Sequence, residues 1–183
     1  MPERAQPHEK HRPIGRRVVR HQQVRLSDDS REVPVTTTAE NRRFILLVAD
    51  RPDEQAVTMR ALRQGGIRNE VVVVHDGDEA IEFTEGTGRY ADRNIGRLPS
   101  LILLDMVSPY VEGHKALQKL RGRVKTRLIP TVVLMPGCEN PDHERSFIPG
   151  ANSQVLKPMD ARKSAEMLGQ VARYWLQINE TAH

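Results

Sequence analysis

The stretch Leu101-Ile102-Leu103-Leu104-Asp105-Met106-Val107-Ser108-Pro109 decides the fold. Four aliphatic residues run straight into a carboxylate, then a loop, then Gly113 and a helical pattern. An unbroken apolar run of this length reads as a strand buried on both faces, the kind found in parallel sheets covered by helices on each side. Asp105 lies where that strand leaves the core. The carboxyl ends of such strands are where ligands and chemistry collect. Asp105 is therefore the candidate reacting residue, and the rest of the chain is expected to position it.

The same pattern repeats on both sides of this stretch. Toward the N-terminus, Phe44-Ile45-Leu46-Leu47-Val48 is a second buried-strand run, ending in Ala49-Asp50-Arg51-Pro52-Asp53. Pro52 suits the first turn of a helix. That helix is predicted to reach about Gln64, with Val57, Ala61 and Leu62 on its inner face and Gly65-Gly66 as its stop. Val71 to Val74 is the next strand. Asp76 and Glu79 are spaced like a capping box for a helix to about Glu85. A long loop, Gly86 to Ser100, leads back to Leu101.

Toward the C-terminus, Gly113 to Arg121 reads as a helix with Ala116, Leu117 and Leu120 facing inward. Thr131 to Leu134 is the fourth strand, stopped by Met135-Pro136-Gly137. The segment Cys138 to Gly150 should hold a helix, but Pro136, Pro141 and Pro149 make it short or irregular. Gln154-Val155-Leu156 is a short fifth strand before Lys157-Pro158. A last helix is predicted from about Ala161 to Asn179, with Ala165, Leu168, Ala172 and Trp175 on one face. Five strands alternating with helices predict an α/β fold: a doubly wound parallel sheet with right-handed crossovers, in three layers.

Charge divides the chain. Of the net charge of +4, all sits in residues 1–43, which hold ten Lys/Arg against six Asp/Glu; residues 44–183 hold eighteen of each. The basic balance thus says nothing about the globular part. Residues 1–43 are predicted to be a disordered basic tail, punctuated by Pro2, Pro7, Pro13 and Pro34. Arg16-Arg17-Val18-Val19-Arg20 is its densest cluster. No aromatic or helical pattern accompanies these charges, so a solvated tail is expected rather than a nucleic-acid surface. Residues 44–183 are expected to form one domain.

Cys138 is the single cysteine, which excludes an intrachain disulfide. No apolar run approaches a membrane span, and the N-terminus lacks the apolar core of a signal peptide, so a cytoplasmic location is expected.

Three charged groups fall just past strand ends: Asp50, Asp105 and Lys157. Two carboxylates without a thiolate or imidazole partner suit a hard cation such as Mg²⁺, which takes few protein ligands and keeps several waters. A lysine opposite balances charge and holds a phosphate as a point charge. The chemistry this set supports is phosphoryl transfer onto a carboxylate. No second base or nucleophile pairs with Asp105, so an enzyme of another kind is not expected. His75, His114 and His143 show no metal-ligand spacing.

Taken in order, these pieces resemble the receiver domain of two-component response regulators. The carriers are Ile45-Leu46-Leu47-Val48-Ala49-Asp50, Leu101-Ile102-Leu103-Leu104-Asp105, Pro109 with Gly113, Gly150-Ala151-Asn152-Ser153, and Lys157-Pro158. The long loop at 87–100 and the ending Tyr174-Trp175-Leu176-Gln177-Ile178-Asn179-Glu180 are similar to the stand-alone receivers that partner phytochrome-type sensor kinases.

The resemblance implies a flavodoxin-like sheet of order 2-1-3-4-5. It implies that Asp105 accepts a phosphoryl group from a histidine kinase, and that Asp50, Asp105 and the backbone carbonyl of Val107 bind Mg²⁺. It implies that Lys157 contacts the phosphoryl oxygens and that Pro158 follows a cis peptide bond. A homodimer through the helix after the fourth strand, the fifth strand and the last helix is a further arrangement seen in the family. The downstream target is expected to be a protein, which the sequence does not name. With no output domain after residue 183, a stand-alone receiver is expected.

Three positions depart from the family pattern. Ala49 stands where a second acid is usual, which weakens the anchoring of Mg²⁺. Met135 stands where Thr or Ser is usual, and Gln154 where Tyr or Phe is frequent. In the family the hydroxyl feels the phosphate and the aromatic rotates inward, so the readout is expected to be more altered than the acceptor site. The alternative reading is a pseudo-receiver, a phosphorylation-independent protein–protein interaction module.

Overall fold

The computed structural model describes residues 43–106, 109–137 and 147–180. The expectations for the tail at 1–42 and for most of the irregular helix at 138–150 fall outside the described residues. Among the described residues lie five strands, β1 (Phe44–Val48), β2 (Glu70–Val74), β3 (Leu101–Leu104), β4 (Thr131–Pro136) and β5 (Ser153–Lys157), and four α-helices. These are α1 (Pro52–Gln64), α2 (Gly77–Glu85), α3 (His114–Arg121) and α4 (Ala161–Arg173). All strand pairings are parallel, in the order β2-β1-β3-β4-β5. This is the doubly wound α/β sheet expected from the sequence.

The period-2 geometry of a strand sorts the aliphatic runs into two cores. Phe44, Leu46, Val48, Ile102, Leu104 and Val133 pack with Ala80, Phe83, Ala116, Leu117 and Leu120 of α2 and α3. Ile45, Leu47, Ala49, Leu101, Leu103, Val132 and Leu134 pack with Ala61, Leu62, Ala165, Leu168 and Ala172 of α1 and α4. Every residue of β1 and β3 is buried. A fully buried aliphatic side chain contributes about 1.5–3 kcal/mol, so each of these strands contributes substantially to stability.

The helix ends follow local chemistry. Pro52 sits in the first turn of α1, where its missing N–H costs nothing, and Asp53 and Glu54 complement the helix dipole there. Asp76 caps α2 through Oδ1, which accepts from the Glu79 N–H at 2.8 Å. The reciprocal half of the predicted box differs: the Glu79 carboxylate accepts from the His75 N–H, one residue before the cap. Gly86 ends α2 in the left-handed region at φ 71°, and a Cβ there would lie 2.3 Å from Ile95 Cγ2.

Several expectations are corrected. Val57 faces solvent at 52% exposure, and Thr58 is fully buried instead. The buried stripe of α1 is Thr58-Ala61-Leu62, which turns Val57 about 100° away from its centre. β4 continues through Met135 to Pro136 rather than stopping at Leu134, with Pro136 opposite Lys157. Past Val133 no β3 residue pairs with β4, so a proline removes no ladder bond on that side. A π-helical turn at Pro109–Gly113 precedes α3. A second one at Tyr174–Ile178 extends α4, bringing Leu176 into the core and leaving Trp175 only partly covered. The Lys157–Pro158 peptide is trans, not cis.

Candidate functional site

Strand register carries the charged residues to one edge. Val48 pairs with Leu104, so Ala49 and Asp50 leave β1 beside the point where Asp105 leaves β3. The Asp105 N–H donates to the Val48 carbonyl at 2.8 Å, extending the ladder by one bond. Asp105 shares the parity of Leu101 and Leu103, so its carboxylate emerges on the α1/α4 face of the sheet. It is only 4% exposed.

A buried carboxylate is costly unless it is paired and hydrogen-bonded. Lys157, at the end of β5, supplies the pairing: its Nζ donates to Asp105 Oδ1 at 2.8 Å and Oδ2 at 3.1 Å. Two residues of α1 complete the set. Thr58 donates its buried hydroxyl to Asp105 Oδ2. Glu54, one turn earlier on the same face, accepts from Lys157 Nζ at 2.6 Å. Burial pulls the Lys157 pKa down, but the charges and hydrogen bonds of Asp105 and Glu54 outweigh it, and the ammonium ends above its ordinary range.

The structure thus brings together Asp105 and Lys157 as the sequence suggests. Asp50 is exposed beside them at the end of β1. It is not the helix cap, since Arg51 holds that position and makes no side-chain cap bond. Arg51 instead pairs with Asp53, which holds that exposed carboxylate below its usual range. The Val107 carbonyl lies outside the described residues. Met135 is buried in the α2/α3 core. Gln154 Oε1 accepts the Ile148 N–H at 3.0 Å. The Ala49 carbonyl accepts from Gln55 Nε2 at 2.8 Å. Of the histidines described, His75 pairs with Glu79, and His114 bonds Gln118 within α3.

Glu54 and Thr58 belong to the site without a motif in the sequence that marks them. The available signal was their spacing: residues four apart share a helix face. Thr58 is also three and four residues from Ala61 and Leu62, whose burial the helical pattern predicts.

The donor set fits Mg²⁺. Asp50 and Asp105 offer hard oxygen ligands on adjacent strand ends, and Mg²⁺ is commonly held by one or two carboxylates plus water. Among the described residues no cluster of three or more His, Cys, Asp or Glu is placed to hold a metal. No helix among them is long and apolar enough to cross a membrane.

No protein-family model matches the sequence. Individual proteins do. The chain is 30% identical over 146 residues to the probable methanogenesis regulatory protein FilR2 of Methanothrix harundinacea (strain 6Ac), a match covering 78% of this chain and 90% of that one. It is 27% identical over 135 residues to the response regulator Rcp1 of Synechocystis, covering 74% and 90%. The phosphorylated cyanobacterial phytochrome response regulator RcpA superposes with a TM-score of 0.62 at 26% identity, over 77% of this chain and 99% of RcpA. The Mn²⁺-bound form of Rcp1 superposes with a TM-score of 0.60 at 25% identity, over 77% and 99%. The sheet order, the strand-end carboxylate with its lysine, and these likenesses agree: the chain belongs to the receiver-domain family of two-component response regulators, among relatives of the phytochrome-associated ones.

Proposed function

We propose that this chain is a phosphorelay receiver that accepts a phosphoryl group on Asp105 from a sensor histidine kinase of the phytochrome type. The observation that carries this reading is the pairing of a buried strand-end carboxylate with Lys157 at 2.8 Å. Asp105 Oδ1 attacks the phosphorus of the kinase's phosphohistidine. The P–N bond breaks, and its electron pair returns to the imidazole nitrogen. Lys157 follows the negative charge as it spreads over the phosphoryl oxygens. Thr58 keeps Oδ2 engaged, leaving Oδ1 the less encumbered oxygen. Asp50, Asp105 and the Val107 carbonyl would hold Mg²⁺. When bound, the ion offsets the charge of donor and acceptor. RcpA has been captured phosphorylated and Rcp1 with Mn²⁺, which supports the same chemistry here.

The output is a change in which protein this chain binds, and its working location is the cytoplasm. The test is phosphoryl uptake from acetyl phosphate with Mg²⁺, read by intact mass against Asp105→Asn.

A second reading is favoured by one specific contact. The Gln154 side chain is tied to the Ile148 backbone, and Met135 carries no hydroxyl to sense a phosphoryl group. Both features suit a fixed interaction surface. A pseudo-receiver would bind its partner equally well with and without phosphoryl donor, and with Asp105→Asn. A loss of partner binding in Asp105→Asn speaks against it.

A further inference from the structure

Glu54 has no role in the reading above. It lies on α1, is about one-third exposed at its side chain, and reaches Lys157 Nζ at 2.6 Å, closer than either Asp105 oxygen does. The ammonium is therefore shared between two carboxylates. Meanwhile Ala49, at the end of β1, supplies no charge, and its carbonyl is taken by Gln55.

We propose that Glu54 is the charge-balancing carboxylate of this site: it draws Lys157 partly off Asp105, which tightens the hold of Asp105 and Asp50 on a divalent cation and shortens the life of a phosphoryl group on Asp105. This rests on the reading of Asp105 as phosphoryl acceptor. The argument is one of competition for a single cation. With Glu54 present, the Lys157 charge is split, and Asp105 keeps more negative charge for the metal. With Glu54 neutral, Lys157 falls wholly to Asp105 and opposes a second cation there. A phosphoryl group on Oδ1 reverses the preference. It needs Lys157 for its own oxygens, and Glu54 both competes for that ammonium and repels the new charge.

The two effects have opposite signs, which a purely structural role would not produce. The experiment uses the full chain, wild type, Glu54→Gln and Glu54→Asp, with two readouts. Mg²⁺ alone is titrated by calorimetry, and phosphoryl lifetime is followed by intact mass after acetyl phosphate is removed. In Glu54→Gln the Mg²⁺ Kd is expected to rise about three- to tenfold while the phosphoryl half-life lengthens by a similar factor. Glu54→Asp, which keeps the charge, stays nearer wild type on both. An unchanged Mg²⁺ Kd in Glu54→Gln overturns the proposal, as does a shorter phosphoryl half-life. If wild type takes up no phosphoryl group, the acceptor reading fails by itself, and the Mg²⁺ titration alone decides for or against Glu54. Absence of Mg²⁺ binding by wild type overturns the proposal.

Discussion

Thr58 donates its hydroxyl to Oδ2 of Asp105, joining the first helix to the end of the third strand across 47 residues of sequence. Both residues are buried, at 0% and 4% exposure, so water does not replace either partner. A hydrogen bond to a charged group contributes about 1.5–3 kcal/mol. Thr58→Val keeps the shape and removes the donor. It is expected to lower stability by about that amount in urea unfolding at pH 7 and to slow phosphoryl uptake by about tenfold. Thr58→Ser should restore most of both. Full uptake by Thr58→Val would show that the hydroxyl does not position the carboxylate.

Lys157→Met leaves Asp105 buried with Thr58 as its remaining side-chain donor among the described residues. Breaking a buried ion pair costs about 3–5 kcal/mol, chiefly because a charge is left uncompensated. Adding Asp105→Asn to Lys157→Met removes that charge. The double variant is therefore expected to be more stable than Lys157→Met alone in urea unfolding, a coupling that exposed pairs such as Lys115–Glu112 would not show.

Much of this was legible in the sequence. Aliphatic runs at 44–48, 101–104 and 131–134 mark buried parallel strands, because both faces are covered and no alternation blurs them, while the valines of 71–74 form a partly covered edge strand. Asp105 and Lys157 are legible because Asp105 lies one position beyond a buried strand and Lys157 at the last position of the short fifth strand. Glu54 and Thr58 are not. A threonine on the inner stripe of a helix looks like packing until the topology sets a carboxylate opposite it. Val57 departs from the expected inner face for the related reason that apolarity alone does not fix the phase of a 13-residue helix. β4 runs past its expected end because a proline stops a strand only where a neighbour needs its N–H.

Glu79 ties α2 to the long loop: Tyr90 donates to it at 2.5 Å, the His75 N–H at 2.8 Å, and Arg89 lies 3.3 Å away. Burial raises its pKa, but these partners outweigh burial and hold it below the ordinary value of 4.5. A carboxylate with a lowered folded pKa stabilises the fold above its unfolded pKa and loses that contribution as pH falls through the folded value. Stability should therefore decline as pH drops below about 4.5, and Glu79→Gln should flatten that decline. Chemical denaturation across pH 3–6 measures it, and an identical slope in Glu79→Gln would contradict the assignment.

Gly65 and Gly169 bring α1 and α4 into backbone contact. A Cβ on Gly169 would lie 2.5 Å from the Gly65 carbonyl oxygen. Ala is the better helix former by about 1 kcal/mol, but overpacking against backbone costs about 1–3 kcal/mol. Clash is expected to win, so Gly169→Ala should lower the Tm. A raised Tm would show that the helices can separate at little cost.

The measurement that tests the central claim most directly is intact mass after incubation with Mg²⁺ and acetyl phosphate. Wild type is expected to gain the mass of one phosphoryl group, and Asp105→Asn none. No gain on the wild type, or an equal gain on Asp105→Asn, would contradict Asp105 as the phosphoryl acceptor.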